Sequence, residues 1–369
     1  MSKKTAVVVI HGIGEQKPFE SLDAFVQSFA PVYEAQIKKT FASAVIKKKH
    51  SLVSFPGWVE SFVSLEPQSA QPARMDIFEY YWAYMTQRQI TFFEIIGWIF
   101  DVARGSCQAA SDKSLSVKFK KLQYLCTMLS VIGFLRLLIS IPASVFIVIP
   151  PLWRKISAFL KKPVVDFFGD VVLYTSSDQK SKFFPVRQKI LDEAVKKVTY
   201  ILKDMDYDEI VLVGHSLGTV IAYDVLDRLN KQMNVDAELC QYAPRLKGLV
   251  TFGSPLDKIA FFFDEKINKK SQSIRYAIVS QLHGFKRVVV DSEALENGVK
   301  PCFEHVKWLN FWTKGDPVCD SLSAYRDVEN IEMVFPVKSK NPITNHGLYW
   351  QSHQMYQQII NAFFPTQPK

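Results

Sequence analysis

A short apolar run, Glu209-Ile210-Val211-Leu212-Val213, breaks off at Gly214-His215-Ser216-Leu217-Gly218 and passes at once into Thr219-Val220-Ile221-Ala222-Tyr223-Asp224-Val225-Leu226. The β-branched run reads as a buried strand. The later stretch reads as a helix, with Val220, Ala222, Val225 and Leu226 available for packing. A G-x-S-x-G junction between the two is a nucleophile elbow, a turn so sharp that the serine hydroxyl stands clear of both elements. Gly214 and Gly218 lack the Cβ atoms that would clash where strand and helix converge. The bare pattern is common, arising by chance in roughly one chain in ten of this length. Its strand–turn–helix setting separates it from an ordinary turn whose serine merely caps a helix.

The same alternation runs along most of the chain and predicts an α/β fold, a mostly parallel central sheet flanked by helices. The strand Thr5–Ile10 meets His11-Gly12-Ile13-Gly14, and a helical stretch follows to about residue 40. Residues 49–55 and 76–82 read as extended, and 185–203 as helical with Ile190, Leu191, Ala194, Val198, Ile201 and Leu202 on one face. Further strands are expected at 246–252, 306–311 and 331–337, and a terminal helix at 348–364.

Residues 85–182 interrupt this pattern, and an insertion of that length is far beyond an ordinary connection. Its part from Ile90 to Ala103 is apolar but keeps Glu94 and Asp101, whereas the part from Leu122 to Trp153 carries a single charge, Arg136. Lys118, Lys120 and Lys121 precede that part and Arg154 and Lys155 follow it. A single membrane crossing would strand the two halves of the sheet on opposite sides. Two crossings need about 40 apolar residues, more than this part supplies. Basic residues at both ends suit two ends held on one cytoplasmic side, and Pro142, Pro150 and Pro151 would bend or end helices. A membrane-dipping hairpin or monotopic lid is the leading expectation. A lid buried against the core and a two-span hairpin are the alternatives. The expected organisation is a catalytic core of residues 1–84 and 183–369 with a helical, membrane-docking cap of residues 85–182.

Across 369 residues, 48% are hydrophobic and 22% charged, which supports a large core and excludes global disorder. The net charge of +9 comes from scattered lysines such as Lys47-Lys48-Lys49, with no nucleic-acid-binding motif, and fits attraction to an anionic membrane surface. Cys107, Cys126, Cys240, Cys302 and Cys319 form no CxxC pair or Cys/His cluster, so reduced thiols are expected and no metal site. The apolar run after Met1-Ser2-Lys3-Lys4 is too short for a signal peptide. A cytoplasmic location, peripheral on a membrane face, is expected.

An elbow of this kind takes its partners in the order nucleophile, acid, histidine. Asp316 follows the strand at 306–311, and His346 follows the last expected strand, in a loop before the terminal helix. Ser216 is then the nucleophile, His346 the base that takes and returns its proton, and Asp316 the carboxylate that orients the imidazole. Asp257 is the rival acid. His353 reads as a surface or packing histidine, and Asp320 and Asp327 as loop residues. Two backbone N–H groups must meet the oxyanion. One is expected from Leu217, the other from Gly12 or Ile13, with Ile13 preferred. His11 is expected to shape that loop and His215 to pack the elbow.

Taken together, the stretch Val211–Leu226, Phe252-Gly253-Ser254-Pro255 and the Asp316-Pro317-Val318 turn resemble the α/β-hydrolase superfamily, in its lipase and esterase branch that opens on a strand and His-Gly. The resemblance implies a mainly parallel sheet, a cap between core strands, no required cofactor, and hydrolysis of acyl esters. With the apolar insertion it points to a lipid or other apolar ester at a membrane surface. An acyltransferase or thioesterase would use the same triad, and a non-catalytic membrane-anchored scaffold is the reading from another class.

Overall fold

The computed structural model describes residues 3–13, 16–68, 74–86, 183–203, 205–257, 274, 278, 285–287, 298–316, 318–335 and 342–365. The chain divides into two units, Met1–Tyr84 with Gln188–Lys258 and Lys269–Lys369, and Met85–Arg187 with Ile259–Asn268. Residues 87–182 lie outside the described residues, and with them the sequence readings of residues 90–103 and 122–153. Among the described residues, no helix is long and apolar enough to cross a membrane.

Eight strands form one sheet in the order β2-β3-β4-β1-β5-β6-β7-β8 among the described residues. They are β1 (Thr5–Ile10), β2 (Ile46–Phe55), β3 (Trp58–Pro67), β4 (Met75–Tyr80), β5 (Glu209–His215), β6 (Leu246–Phe252), β7 (Lys307–Trp312) and β8 (Val328–Glu332). From β4 through β8 every neighbouring pair is parallel, while β2–β3 and β3–β4 are antiparallel. Strands β1 and β4 are buried along their whole length, as parallel strands covered on both faces must be. Their side chains are apolar apart from Thr5, Asp76 and Glu79. Asp76 is kept buried by three donors: the Ser64 hydroxyl at 2.7 Å, Arg74 Nε at 2.6 Å and the Tyr207 hydroxyl at 2.7 Å.

Helix α1 (Glu20–Lys38) packs on α6 (His353–Phe363) through an aromatic cluster in which the Tyr356 ring meets Phe25 at 5.5 Å and Phe29 at 6.1 Å, both edge-on. Residue 19, before α1, cannot cap it with its side chain. Glu79 on β4 does so instead, its carboxylate accepting the N–H groups of Phe19, Ser21 and Leu22 at 2.5, 3.1 and 3.2 Å. Helices α2 (Phe184–Lys203) and α3 (Leu217–Val235) are joined by Arg228, which bonds Asp192 and Gln188. Two short helices complete the described set, α4 (Ala237–Cys240) and α5 (Pro342–Gly347).

Several boundaries differ from expectation. Strand β3 was not anticipated: between the Pro56-Gly57 turn and Pro67 its exposed and buried positions do not alternate cleanly. The last strand is Val328–Glu332 rather than 331–337, and its half-exposed edge position gives it no apolar signature. The terminal segment is a 3-10 turn, Leu348–Gln351, then a break at Ser352, whose hydroxyl accepts the Met355 N–H at 3.2 Å and starts α6 afresh. His353 opens that helix rather than lying inside it.

Candidate active site

Strand β1 is the point where the topology reverses: the chain leaves it toward β2–β4 on one side and later builds β5–β8 on the other. In such sheets the crevice at the carboxyl ends of the strands beside that point is where ligands bind. The elbow at the end of β5 lies there. Ser216 has φ 53° and ψ −127°, a backbone region that a residue with a Cβ adopts only under strain, and it caps α3 without a side-chain bond. Surrounding contacts hold the strain in place. Ser216 N–H donates to Phe252 C=O at 3.1 Å, and its own C=O accepts both the N–H of Thr219 at 3.0 Å and the Thr219 hydroxyl at 2.7 Å. Ser254 then donates its hydroxyl to Thr219 Oγ1 at 2.8 Å, which locks the turn to the end of β6.

His346 and Asp316 arrive from separate segments 30 residues apart, and His346 Nδ1 lies 2.8 Å from Asp316 Oδ2. His346 stands in the last turn of α5, a short helix, rather than in a loop. Burial works against the Asp316 carboxylate; the hydrogen bond and charge of His346, the Val318 N–H at 2.9 Å and the Cys319 thiol outweigh it, leaving its pKa below the usual value. An ionised carboxylate only accepts, so a His346 proton sits on Nδ1 facing it, and Nε2 is the ring atom left to act as a base. That Nε2 is buried and has no hydrogen-bond partner among the described residues. The Asp316 turn is itself anchored. Asn345 on α5 donates to Gly315 C=O at 3.1 Å, and Asn310 on β7 donates to Asp320 C=O at 3.3 Å and to Asn330 Oδ1 at 2.8 Å.

Asp257 does not reach this dyad's position. Its carboxylate accepts the N–H and hydroxyl of Ser323 at 3.0 and 2.9 Å and the N–H of Ala324 at 3.2 Å, so it clamps a loop. Asp320 is tied into a turn by the Ser321 N–H at 2.9 Å.

The loop after β1 comes equally close. A Cβ on Gly12 would stand 2.7 Å from Ser216 Cβ, so only glycine lets this backbone reach the elbow. His11 is buried, and burial lowers its pKa to about 4, against a smaller opposing effect from the Gly12 carbonyl, so the ring is neutral. Its Nδ1 donates to Gly12 C=O at 2.7 Å, and its Nε2 accepts the Trp82 N–H at 3.0 Å. The Gly12–Ile13 peptide is thereby fixed, and because a trans peptide points C=O and N–H opposite ways, the Ile13 N–H faces away from His11. Leu217 N–H is the first donor of α3, at the positive end of its dipole. Gly14 lies outside the described residues.

His215 does more than pack. Its Nε2 lies 3.0 Å from the carbonyl oxygen of His346, and the two rings are 4.7 Å apart. Burial, reinforced by the neighbouring His346, holds its pKa down at about 3, so a neutral Nε2–H donates to that carbonyl. The ring is stacked on Phe252 at 5.0 Å and met edge-on by Trp350 at 5.2 Å. Behind Asp316, the Tyr349 hydroxyl contacts Cys319 Sγ at 3.2 Å, and burial above all pushes that thiol's pKa up to about 12, which keeps it a donor. Sequence spacing of 131 residues gave no sign of the His215 contact.

No family model matches this chain, and no curated protein matches its sequence.

Proposed function

We propose that this chain is a serine ester hydrolase of α/β-hydrolase type, with Ser216, His346 and Asp316 as its triad. The observation that carries the reading is a strained serine at a strand–helix junction, next in the chain to His215, which bonds the carbonyl of an Asp316-oriented histidine whose Nε2 is buried and has no hydrogen-bond partner among the described residues. In the reaction His346 Nε2 takes the Ser216 proton as Oγ attacks the ester carbonyl. The tetrahedral oxyanion is met by Leu217 N–H and Ile13 N–H, with the α3 dipole adding to both. His346 then gives the proton to the leaving alkoxide, an acyl-Ser216 remains, and water activated by the same ring releases the acid. Asp316 stabilises the imidazolium in each half-reaction. The Ser216–His346 hydrogen bond is expected to close on substrate binding, as such bonds do.

The sequence of residues 122–153, apolar with basic flanks, supports a lipid or other apolar ester met on the cytoplasmic face of a membrane. Hydrolysis of p-nitrophenyl esters tests the reading. Ser216→Ala is expected to lower kcat by about 10⁶-fold, as removal of such a nucleophile does elsewhere. Turnover by Ser216→Ala within tenfold of wild type would exclude Ser216 as the nucleophile.

A further inference from the structure

We propose that the hollow beside the His11 loop receives the apolar chain of the substrate, an inference that rests on the ester-hydrolase reading above. The hollow has a volume of about 480 Å³ and lies where β4 ends. In the sheet register Tyr80, the last residue of β4, pairs with Ile10, and Ile10 pairs with Gly214 of the elbow strand. Two strand spacings, ~10 Å, therefore separate Tyr80 of its lining from the elbow strand, at the same carboxyl edge of the sheet. Tyr81 forms the link. Its ring lies 5.5 Å from that of His11, and its hydroxyl donates to Gln16 C=O at 3.0 Å. The proposed route takes a chain whose carbonyl sits at Ser216 past Ile13 and Tyr81 into this space.

The lining sets the chemistry. Its rings are Phe19, Trp58, Tyr80, Tyr81 and Tyr84. Charged groups are present too, yet each is engaged by the protein. Lys197 pairs with Glu60 at 2.9 Å and donates to the Glu79 carbonyl; the Glu79 carboxylate is occupied by the start of α1. Glu193 accepts the Tyr84 hydroxyl at 2.8 Å, and the Lys196 ammonium stands 4.7 Å over the Trp58 ring. An ionic headgroup would have to break one of these pairings, whereas a hydrocarbon chain meets aromatic faces at no such cost. Two rings at the hollow are left to water: Phe19 is 48% exposed and Tyr84 49%. Phe19 is also held at φ 67°, a strained conformation for a residue with a Cβ. Backbone strain of this kind concentrates at ligand clamps, and the proposal gives the Phe19 ring that use.

The test compares kcat/KM for p-nitrophenyl octanoate and acetate. Trp58→Ala and Phe19→Gly are each expected to lower the octanoate-to-acetate ratio about tenfold, the cost of roughly 1.4 kcal/mol of lost apolar contact. Phe19→Gly keeps the test decisive, because glycine takes a positive φ without strain and the fold survives. An unchanged ratio in both variants, with Ser216 still labelled by a fluorophosphonate, would overturn the pocket and leave the hydrolase reading standing. Absence of labelling in folded wild type would overturn both.

Discussion

Asp316→Asn is expected to lower kcat by about 10⁴-fold, the loss seen when a triad carboxylate becomes an amide. The reason lies in the proton inventory of the site. The carboxylate only accepts, so it holds the His346 proton on Nδ1 at 2.8 Å and leaves Nε2 bare. An amide brings two donors of its own. It already has the Val318 N–H to satisfy on one side, and turning its NH2 toward His346 would move the ring proton to Nε2, where it blocks the base. An amide also cannot stabilise the imidazolium. Stability should fall as well, because the depressed Asp316 pKa means the folded state favours the ionised form. That contribution is present above the ordinary carboxylate pKa and is lost as pH falls through the lowered, folded-state value. The control is Asp257→Asn, whose carboxylate serves Ser323 and Ala324. It should cost about 1 kcal/mol of stability, from the acceptor the amide loses, partly offset because burial raises the Asp257 pKa and disfavours its charged form, and leave kcat within a few-fold. Steady-state kinetics and thermal melts of both variants decide the point; a larger kcat loss from Asp257→Asn would move the acid to that residue.

Gly218→Ala is the second large effect. A Cβ there would stand 2.2 Å from Ile10 O and 2.5 Å from His11 O, distances that no side-chain rotation relieves because both atoms are backbone. Either α3 lifts away from β1 or the end of β1 moves, and the His11–Ile13 loop moves with it. Overpacking of this severity costs about 3 kcal/mol or more. Displacing one oxyanion donor costs a further 10²–10³ in kcat, by order of magnitude. Urea unfolding with parallel kinetics should find both losses. A variant with wild-type midpoint and kcat would show that the close approach of α3 to β1 is dispensable.

The strand–turn–helix at Ser216 and the parallel strands on either side were legible because each has a local signature, and the expected pairing of Asp316 with His346 is present at 2.8 Å. Buried β-branched runs mark strands, and G-x-S-x-G between strand and helix marks the turn. What escaped is what depends on partners distant in sequence. Strand β3 is stabilised by its antiparallel pairing with β2 and β4, and its mixed pattern of Trp58, Glu60 and Phe62 gave no period. Edge strand β8 has little apolar content to mark it. His346 is expected in a loop and stands in a helix instead, since the helix that Pro342 starts is too short to show periodicity. The His215–His346 contact, the Glu79 cap on α1 and the aromatic hollow each join residues tens to hundreds of positions apart. Burial and strain at these places come from the packed sheet, and no residue spacing encodes them.

The most direct measurement is the mass of the intact protein after exposure to a fluorophosphonate, with the modified peptide then sequenced. The account predicts one phosphonyl adduct per chain, on Ser216, formed by wild type, absent from Ser216→Ala, and formed far more slowly by Asp316→Asn. Folded wild-type protein that takes no adduct, or takes it equally in Ser216→Ala, would contradict the triad.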